Sequence, residues 1–233
     1  MNSKMLILGD GLLGSELVKQ TGWDYISRKK DNIDFTDWIS YKNMIGRYDQ
    51  IINCIGHTNT YDENRGKHWN INYKGVSDLV EICNQNKKKL IHISTDYVYS
   101  NSKSNASEFD VPVHCENWYG YTKLLGDSHI QLKSNNYLII RCSHKLEPFP
   151  YDRAYLNLIG NFDYVSVISE KIIKLVKKNA VGIYNVGTQL KSMYDLAKKT
   201  NSDVLPANSL FNNSMPTDVS MNLNKLTNEE EDV

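Results

Sequence analysis

The chain has 233 residues, of which 40% are hydrophobic and 23% charged, enough for one sizeable domain with a smaller lobe beside it. No apolar run approaches the roughly 20 residues of a membrane span, so a membrane protein is excluded. Lys and Arg number 27 and Asp and Glu number 27, so the chain lacks the broad basic field that binding to nucleic acid or anionic lipid requires, and only local anion sites remain.

In chain order, short apolar runs alternate with helix-like stretches. Lys4 to Gly9, Gln50 to Ile55, Lys89 to Ser94 and Tyr137 to Cys142 read as buried parallel strands. Gly11 to Gln20 reads as a helix, and so does Trp69 to Asn84, with apolar positions at Trp69, Tyr73, Val76, Val80 and Cys83. The alternation gives an α/β fold class. The polar stretch Ser100 to Glu108 reads as a loop over a site, ahead of a helix beginning near Trp118. Past Cys142 the pattern turns irregular through Pro148 and Pro150, which places a first domain over 1–145 and a small lobe over 146–233. Within the latter, 164–186 resumes strand-and-helix patterning and is expected to pack back on the first domain. The tail from Leu205 is rich in Asn and Ser, and its acidic end, Glu229 to Val233, is expected to fray.

The cysteines Cys54, Cys83, Cys115 and Cys142 contain no C-x-x-C pair, and Met1 to Ile7 has no signal-peptide layout, which predicts a reduced, cytoplasmic protein. Cys54 and Cys142 lie in apolar runs and read as small buried hydrophobes. The histidines show no metal-ligand spacing, so no metal site is expected.

Chemistry enters with Gly9-Asp10-Gly11-Leu12-Leu13-Gly14, a G-x-G-x-x-G between a strand and a helix. Glycines there let the backbone turn tightly and approach a pyrophosphate, whose charge sits on the helix N-terminus. After the second strand, near Asp24 to Ser27, come Ser27, Arg28, Lys29 and Lys30, with no carboxylate at the strand end. Cations there bind a 2′-phosphate, which favours NADPH, although NADH stays open because the same residues also read as a solvated basic turn. Asp34 and Phe35 follow and are placed to meet the adenine.

Ser94-Thr95-Asp96-Tyr97 at a strand end precedes Tyr119-Gly120-Tyr121-Thr122-Lys123 at a helix start. Tyr119 and Lys123 share one helix face, so the ammonium is expected to lower the phenol pKa from about 10 and to hold a ribose. A phenol so placed donates a proton to a carbonyl that receives hydride, and the Thr95 hydroxyl can bond the same oxygen. A lone Tyr-x-x-x-Lys is common surface decoration; its conjunction with the glycine loop and Thr95 is what reads as catalytic.

Leu90-Ile91-His92-Ile93-Ser94-Thr95-Asp96-Tyr97-Val98-Tyr99 and Trp118 to Asp127, with 24 residues from Thr95 to Tyr119, resemble the signatures of the dTDP-4-dehydrorhamnose reductase family within the extended short-chain dehydrogenase/reductases. Asn53-Cys54-Ile55-Gly56-His57-Thr58 is similar to that family's segment beside the nicotinamide ribose. Asn72 matches its helix asparagine, which helps position the lysine through the backbone and water. The resemblance implies a Rossmann-type doubly wound parallel sheet, a small C-terminal substrate lobe, and NADPH-dependent reduction of a nucleotide-linked 4-keto-6-deoxy sugar. Thr95, Tyr119 and Lys123 would be catalytic; Gly9 to Gly14, Ser27, Arg28, Lys29, Asp34, Phe35, Cys54, Ile55, Gly56 and Asn72 would face the cofactor. Thr58, Thr95, Asp96, Tyr97 and Arg153 would face substrate, with Tyr151 and Lys145 available to a diphosphate or equally to solvent.

Departures from the family pattern are the shorter glycine spacing, Met215 before Pro216 where arginine is common, an unmatched Phe149 to Tyr155, and a short chain. A dehydratase would place Glu after Asp96, where this chain has Tyr97, and no second base pair for epimerisation stands out in the sequence. Two alternatives stay open: a non-catalytic NADP-binding subunit of another enzyme, motivated by the short lobe, and a reductase or epimerase of a different nucleotide sugar. A homodimer is also left open.

Overall fold

Buried parallel strands need apolar side chains on both faces, and the first, third and fourth strands are buried at every position. In the computed structural model, which describes residues 3–62, 64–100, 102–110, 117–208 and 215–231, six strands form the central sheet. They are β1 (Met5–Leu8), β2 (Asp24–Ile26), β3 (Gln50–Asn53), β4 (Lys89–Thr95), β5 (Tyr137–Cys142) and β6 (Gly182–Val186). Their order is β6-β5-β4-β3-β1-β2, and every pairing is parallel. Leu8 at the end of β1 pairs with Ile26 on one side and with Asn53 on the other. The chain thus changes its direction of travel across the sheet between β1 and β3, which opens a crevice at the carboxyl ends of those strands.

The main helices are α1 (Leu12–Thr21), α2 (Gly75–Gln85), α3 (Trp118–Lys133), α4 (Val165–Lys177) and α5 (Asn224–Glu231). Ile7, Ile52, Ile91 and Ile140 point to the face covered by α1 and α4, where Leu17, Ile168 and Ile172 are buried. Leu6, Leu8, Ile51 and Ile139 point to the opposite face, against Val76, Leu79 and Val80 of α2 and Ile130 of α3. Helices on both faces make the sheet doubly wound, the α/β class that the alternation of runs predicts. Each of these aliphatic side chains contributes about 1.5–3 kcal/mol by leaving water. Among the described residues no helix is long and apolar enough to cross a membrane.

Beyond Cys142 the chain leaves the sheet, returns as α4 and β6, and leaves again. The two excursions share a separate core of Phe149, Leu158, Phe162, Tyr164, Leu196 and Val204. Arg153–Tyr155 pairs with Leu205–Ala207 and Ile159–Gly160 with Lys191–Ser192, so small two-stranded ladders tie one excursion to the other.

Three expectations are corrected. The single helix expected from Trp69 is a π-helical turn, Trp69–Lys74, running into α2. The wide turn shifts the apolar stripe, so Trp69 is 41% exposed and stacks on Tyr73 while Asn72 is buried. The described residues of Ser100 to Glu108 do not line the cavity at the strand ends; Asn105 N donates to Ser220 Oγ at 2.7 Å, and Ala106 bridges to Met221. The acidic end, where described, does not fray. In α5, Leu226 is buried, Glu230 pairs with Lys171 at 3.0 Å, Glu229 accepts from Tyr184 Oη at 2.8 Å, and Lys178 Nζ donates to the Glu229 carbonyl. Its acids meet donors rather than one another. Cys115 and the stretches 111–116 and 209–214 lie outside the described residues.

A buried ion pair joins α3 to β5: Arg141 Nε donates to Asp127 Oδ2 at 3.0 Å with both side chains at 0% exposure. Arg141 Nη1 also donates to Tyr99 Oη at 2.9 Å and to the Glu108 carbonyl at 3.0 Å, and Tyr99 Oη donates to Asn185 Oδ1 of β6 at 2.7 Å. Removing one partner strands the other's charge away from water. Asp127→Ala is therefore expected to lower stability by about 3–5 kcal/mol in urea denaturation, and a loss within the error of the measurement would show that the pair is not needed.

Candidate active site

The glycine loop meets the steric demands of its position. Gly9 has φ +97°, a region that favours glycine. A Cβ on Gly14 would lie 2.1 Å from the Gly9 carbonyl oxygen, so α1 is seated directly on the turn. A Cβ on Gly11 would meet nothing within 4 Å, so the loop faces open space. Gly11 caps α1 without a side-chain bond, and no acidic residue stands in the first turn. The free N–H groups there suit an anion.

Two cavities of about 580 Å³ each meet at Gly11, Cys54, Ile55 and Gly56. Asp10, Arg28, Asp34 and Phe35 line one of them. Thr36 donates to Asp34 from its backbone N–H at 2.9 Å and its hydroxyl at 2.7 Å, which with Arg28 nearby holds that carboxyl below the usual range. Ser27 and Lys29 are corrected. Ser27 is buried as the cap of the short turn Arg28–Asp31, accepting from Lys30 N at 3.1 Å, and Lys29, exposed like Arg28, lines neither cavity. Only Arg28 of the basic run reaches the cavity. An open glycine cradle, a helix N-terminus and a guanidinium beside it fit a phosphorylated dinucleotide.

The other cavity gathers Thr58, Thr95, Asp96, Tyr97, Tyr119 and Lys123 with Leu12 and Leu13. Thr95 ends β4, accepting from Tyr97 N at 3.2 Å and donating to Asp96 Oδ1 at 3.1 Å. Asn117 caps α3 by accepting from Gly120 N at 2.6 Å, which sets Tyr119 in the first turn and Lys123 one turn further. Lys123 Nζ donates to the Ile93 carbonyl at 2.7 Å and lies 3.1 Å from His92 Nε2. Burial brings Lys123 down to about 8, with Asp127 opposing. Tyr119 corrects an expectation: burial raises its pKa above the ordinary phenol value, and the hydrogen bond with Thr95 offsets this only in part. The phenol therefore holds its proton through neutral pH.

Asn72 is corrected as well. It is fully buried and lines neither cavity; Oδ1 accepts from His57 N at 2.8 Å, while Nδ2 donates to the His57 carbonyl at 3.0 Å and to Thr122 Oγ1 at 3.2 Å. It clamps the segment after β3 to α3 rather than facing the cofactor cavity. Arg153 is exposed on its short strand and outside the cavity, whereas Tyr151 lines it.

Sequence reasoning offered Lys145 to a diphosphate and read Cys142 as a buried hydrophobe, but it passed over Ser143 and His144 between them; all four line the cavity. The signal was available, since ligands meet the carboxyl ends of parallel strands. Asp96 Oδ2 and His144 Nδ1 are buried with no hydrogen-bond partner among the described residues, as expected of atoms that serve a polar ligand. Burial raises Asp96 and lowers Lys145, each opposed by the other's charge, and burial with Lys145 nearby brings His144 down to about 4. Also unforeseen is His57, whose Nε2 lies 2.9 Å from Asp62 Oδ2 and whose ring meets that of His68 edge-to-face, with centroids 4.5 Å apart. The assembled groups can protonate and bond a carbonyl oxygen beside a dinucleotide.

Residues 3–148 match the RmlD substrate binding domain family. The chain belongs to that family. It is 28% identical over 219 residues to the spore coat polysaccharide biosynthesis protein SpsK of Bacillus subtilis, covering 84% of this chain and 77% of that one. It is 24% identical over 231 residues to a dTDP-4-keto-6-deoxy-D-glucose reductase of Streptomyces niveus, covering 86% and 78%. The crystal structure of the dTDP-4-dehydrorhamnose reductase of Bacillus anthracis, in complex with NADP, shares the fold with a TM-score of 0.83 over 97% of this chain and 91% of that one, at 24% identity. The matched span holds β1 to β5, the glycine loop and the Thr95, Tyr119 and Lys123 positions.

The 2.1 Å approach at Gly14 gives a direct test. Gly14→Ala forces the loop away from α1 and is expected to cost about 1–3 kcal/mol and to weaken dinucleotide binding in a fluorescence titration. Unchanged melting and binding would mean that the loop has slack.

Proposed function

We propose that the chain is an NADPH-dependent reductase of a nucleotide-linked 4-keto-6-deoxy sugar. The observation that carries this reading is that one cavity, continuous with the glycine cradle, holds Thr95, Tyr119 and Lys123 together. Two relatives that carry the reductase name for dTDP-linked sugars support it.

NADPH, when bound, supplies hydride to the keto carbon. The N–H groups at the start of α1 and the glycine loop take the pyrophosphate, and Arg28 takes the 2′-phosphate, with no carboxylate at the end of β2 to favour a bare ribose. Asp34 and Phe35 border the adenine. Tyr119 holds its proton at neutral pH and gives it to the carbonyl oxygen as negative charge develops there. Thr95 bonds the same oxygen. The ammonium of Lys123, itself buried, stabilises the resulting tyrosinate. Asp96, Tyr97 and Thr58 offer acceptors and donors to the sugar hydroxyls, and Lys145 offers a cation to the diphosphate.

The test is NADPH consumption with dTDP-, UDP- and GDP-linked 4-keto-6-deoxyhexoses. Tyr119→Phe is expected to bind NADPH normally and to lose about 10²–10⁴-fold in turnover; a mutant as active as wild type would remove Tyr119 from its role. Lys123 is charged below its pKa of about 8 and neutral above it, so turnover is expected to fall as pH rises through about 8. A flat profile to pH 10 would contradict the need for that charge.

A further inference from the structure

His92 sits in the middle of β4 and is fully buried, yet each of its ring nitrogens lies within hydrogen-bond distance of another nitrogen. Nδ1 is 3.1 Å from Asn53 Nδ2, and Nε2 is 3.1 Å from Lys123 Nζ. The Asn53 amide cannot be turned around, because its Oδ1 accepts from Ile55 N at 3.0 Å. An N–H of Asn53 therefore faces the ring. A neutral imidazole has one lone pair and one N–H, so the lone pair belongs on Nδ1 and the proton on Nε2, aimed at Lys123. An ammonium has three N–H groups and no lone pair, and it meets that proton as donor against donor; a neutral amine accepts it. Lys123 keeps its bond to the Ile93 carbonyl in either state.

We propose that His92 is a positioning residue that sets the protonation balance of Lys123: its ring, held in one tautomer by Asn53, presents an N–H to the lysine nitrogen and so favours the neutral amine.

The other groups that act on Lys123 come from each element around it. They are Asp127 on its own helix, Cys142 from β5 and Cys54 from the segment after β3, with Tyr119 one turn back along α3. The two thiols are pushed up by burial, Cys54 to about 12, and are neutral. Asp127 is engaged by Arg141. His92 itself is pushed well below the ordinary imidazole value by burial, with Lys123 adding to the effect, so it does not relieve the conflict by taking a second proton. Asp127 supports the ammonium and His92 opposes it, which keeps the lysine close to its change of charge in the working pH range. The tautomer is a property of the chain alone; only its kinetic consequence rests on the reductase reading.

The experiment is nuclear magnetic resonance on the full-length chain with ¹⁵N-labelled histidine and ¹³C-labelled lysine, Lys123 being assigned by its loss in Lys123→Met. His92 is expected to show the Nε2–H tautomer and no titration from about pH 5 to about pH 9. His92→Gln places an amide oxygen where the N–H was and is expected to raise the Lys123 midpoint by about one pH unit. The basic limb of kcat/KM for NADPH oxidation should move up with it. An Nδ1–H tautomer in the wild type, which needs no substitution to detect, or an unmoved Lys123 midpoint in folded His92→Gln, overturns the proposal. A shifted midpoint in a chain that turns over no keto-sugar would uphold the proposal and sink the reductase reading instead.

Discussion

The guanidinium of Arg141 has no path to water, and the segments that carry chemistry are arranged around satisfying it. Asp127, its ion-pair partner, lies on α3 one turn beyond Lys123 and two beyond Tyr119. Tyr99 closes the turn that begins at Thr95, and it hands the network on to Asn185 in β6. The same cation thus fixes the helix with the phenol and the lysine, the turn with the threonine, and the last strand of the sheet. A charge sealed at this depth is costly without partners; Arg141 finds them through Nε and Nη1, while its Nη2 and Asp127 Oδ1 have no hydrogen-bond partner among the described residues. The geometry of the site is held by that requirement more than by any contact between the reactive groups themselves.

The cleft applies the same physics to its own residues. Burial raises Tyr119 and Asp96 and lowers Lys123 and Lys145, pushing each toward its neutral form. Opposite charges nearby, Asp127 for Lys123 and Lys145 for Asp96, push back. For Asp96, Lys123 and Lys145 the change of charge is thereby moved toward neutral pH, while Tyr119 is moved further from it and keeps its proton, in surroundings where a change of charge is strongly felt.

Much of this was legible in the sequence because the signals are local. The apolar runs gave strands, and the glycine loop between the first strand and helix needed only its immediate neighbours to be read. Tyr119 and Lys123 share a helix face by spacing alone, and Thr95 stands at a strand end. What stayed hidden depends on where distant segments come to lie. Ser27 and Lys29 look as cationic or polar as Arg28, but Ser27 is buried as the cap of a four-residue turn and only Arg28 of that turn's cations lines the cavity. Asn72 reads as the edge of a helix until the π turn rotates it inward. His92 reads as one more position in an apolar strand, and only the packing of α3 over β4 brings Lys123 to it. At Glu229 and Glu230 the composition suggested repulsion, and the partners that dock them, Tyr184 and Lys171, are more than 40 residues away.

The chain quits its sheet after β5, comes back for α4 and β6, and quits it again. The lobe beside the cleft is therefore made of two detours, each leaving from and returning to secondary structure that is already secured, and small ladders stitch the detours together. Such a lobe can be trimmed or extended in either detour without unzipping a central strand, because the ends of each detour are pinned whatever its length. Changes of length as well as of side chains can thus reshape one wall of the cavity, while Thr95, Tyr119 and Lys123 sit on a strand and a helix that neither detour interrupts.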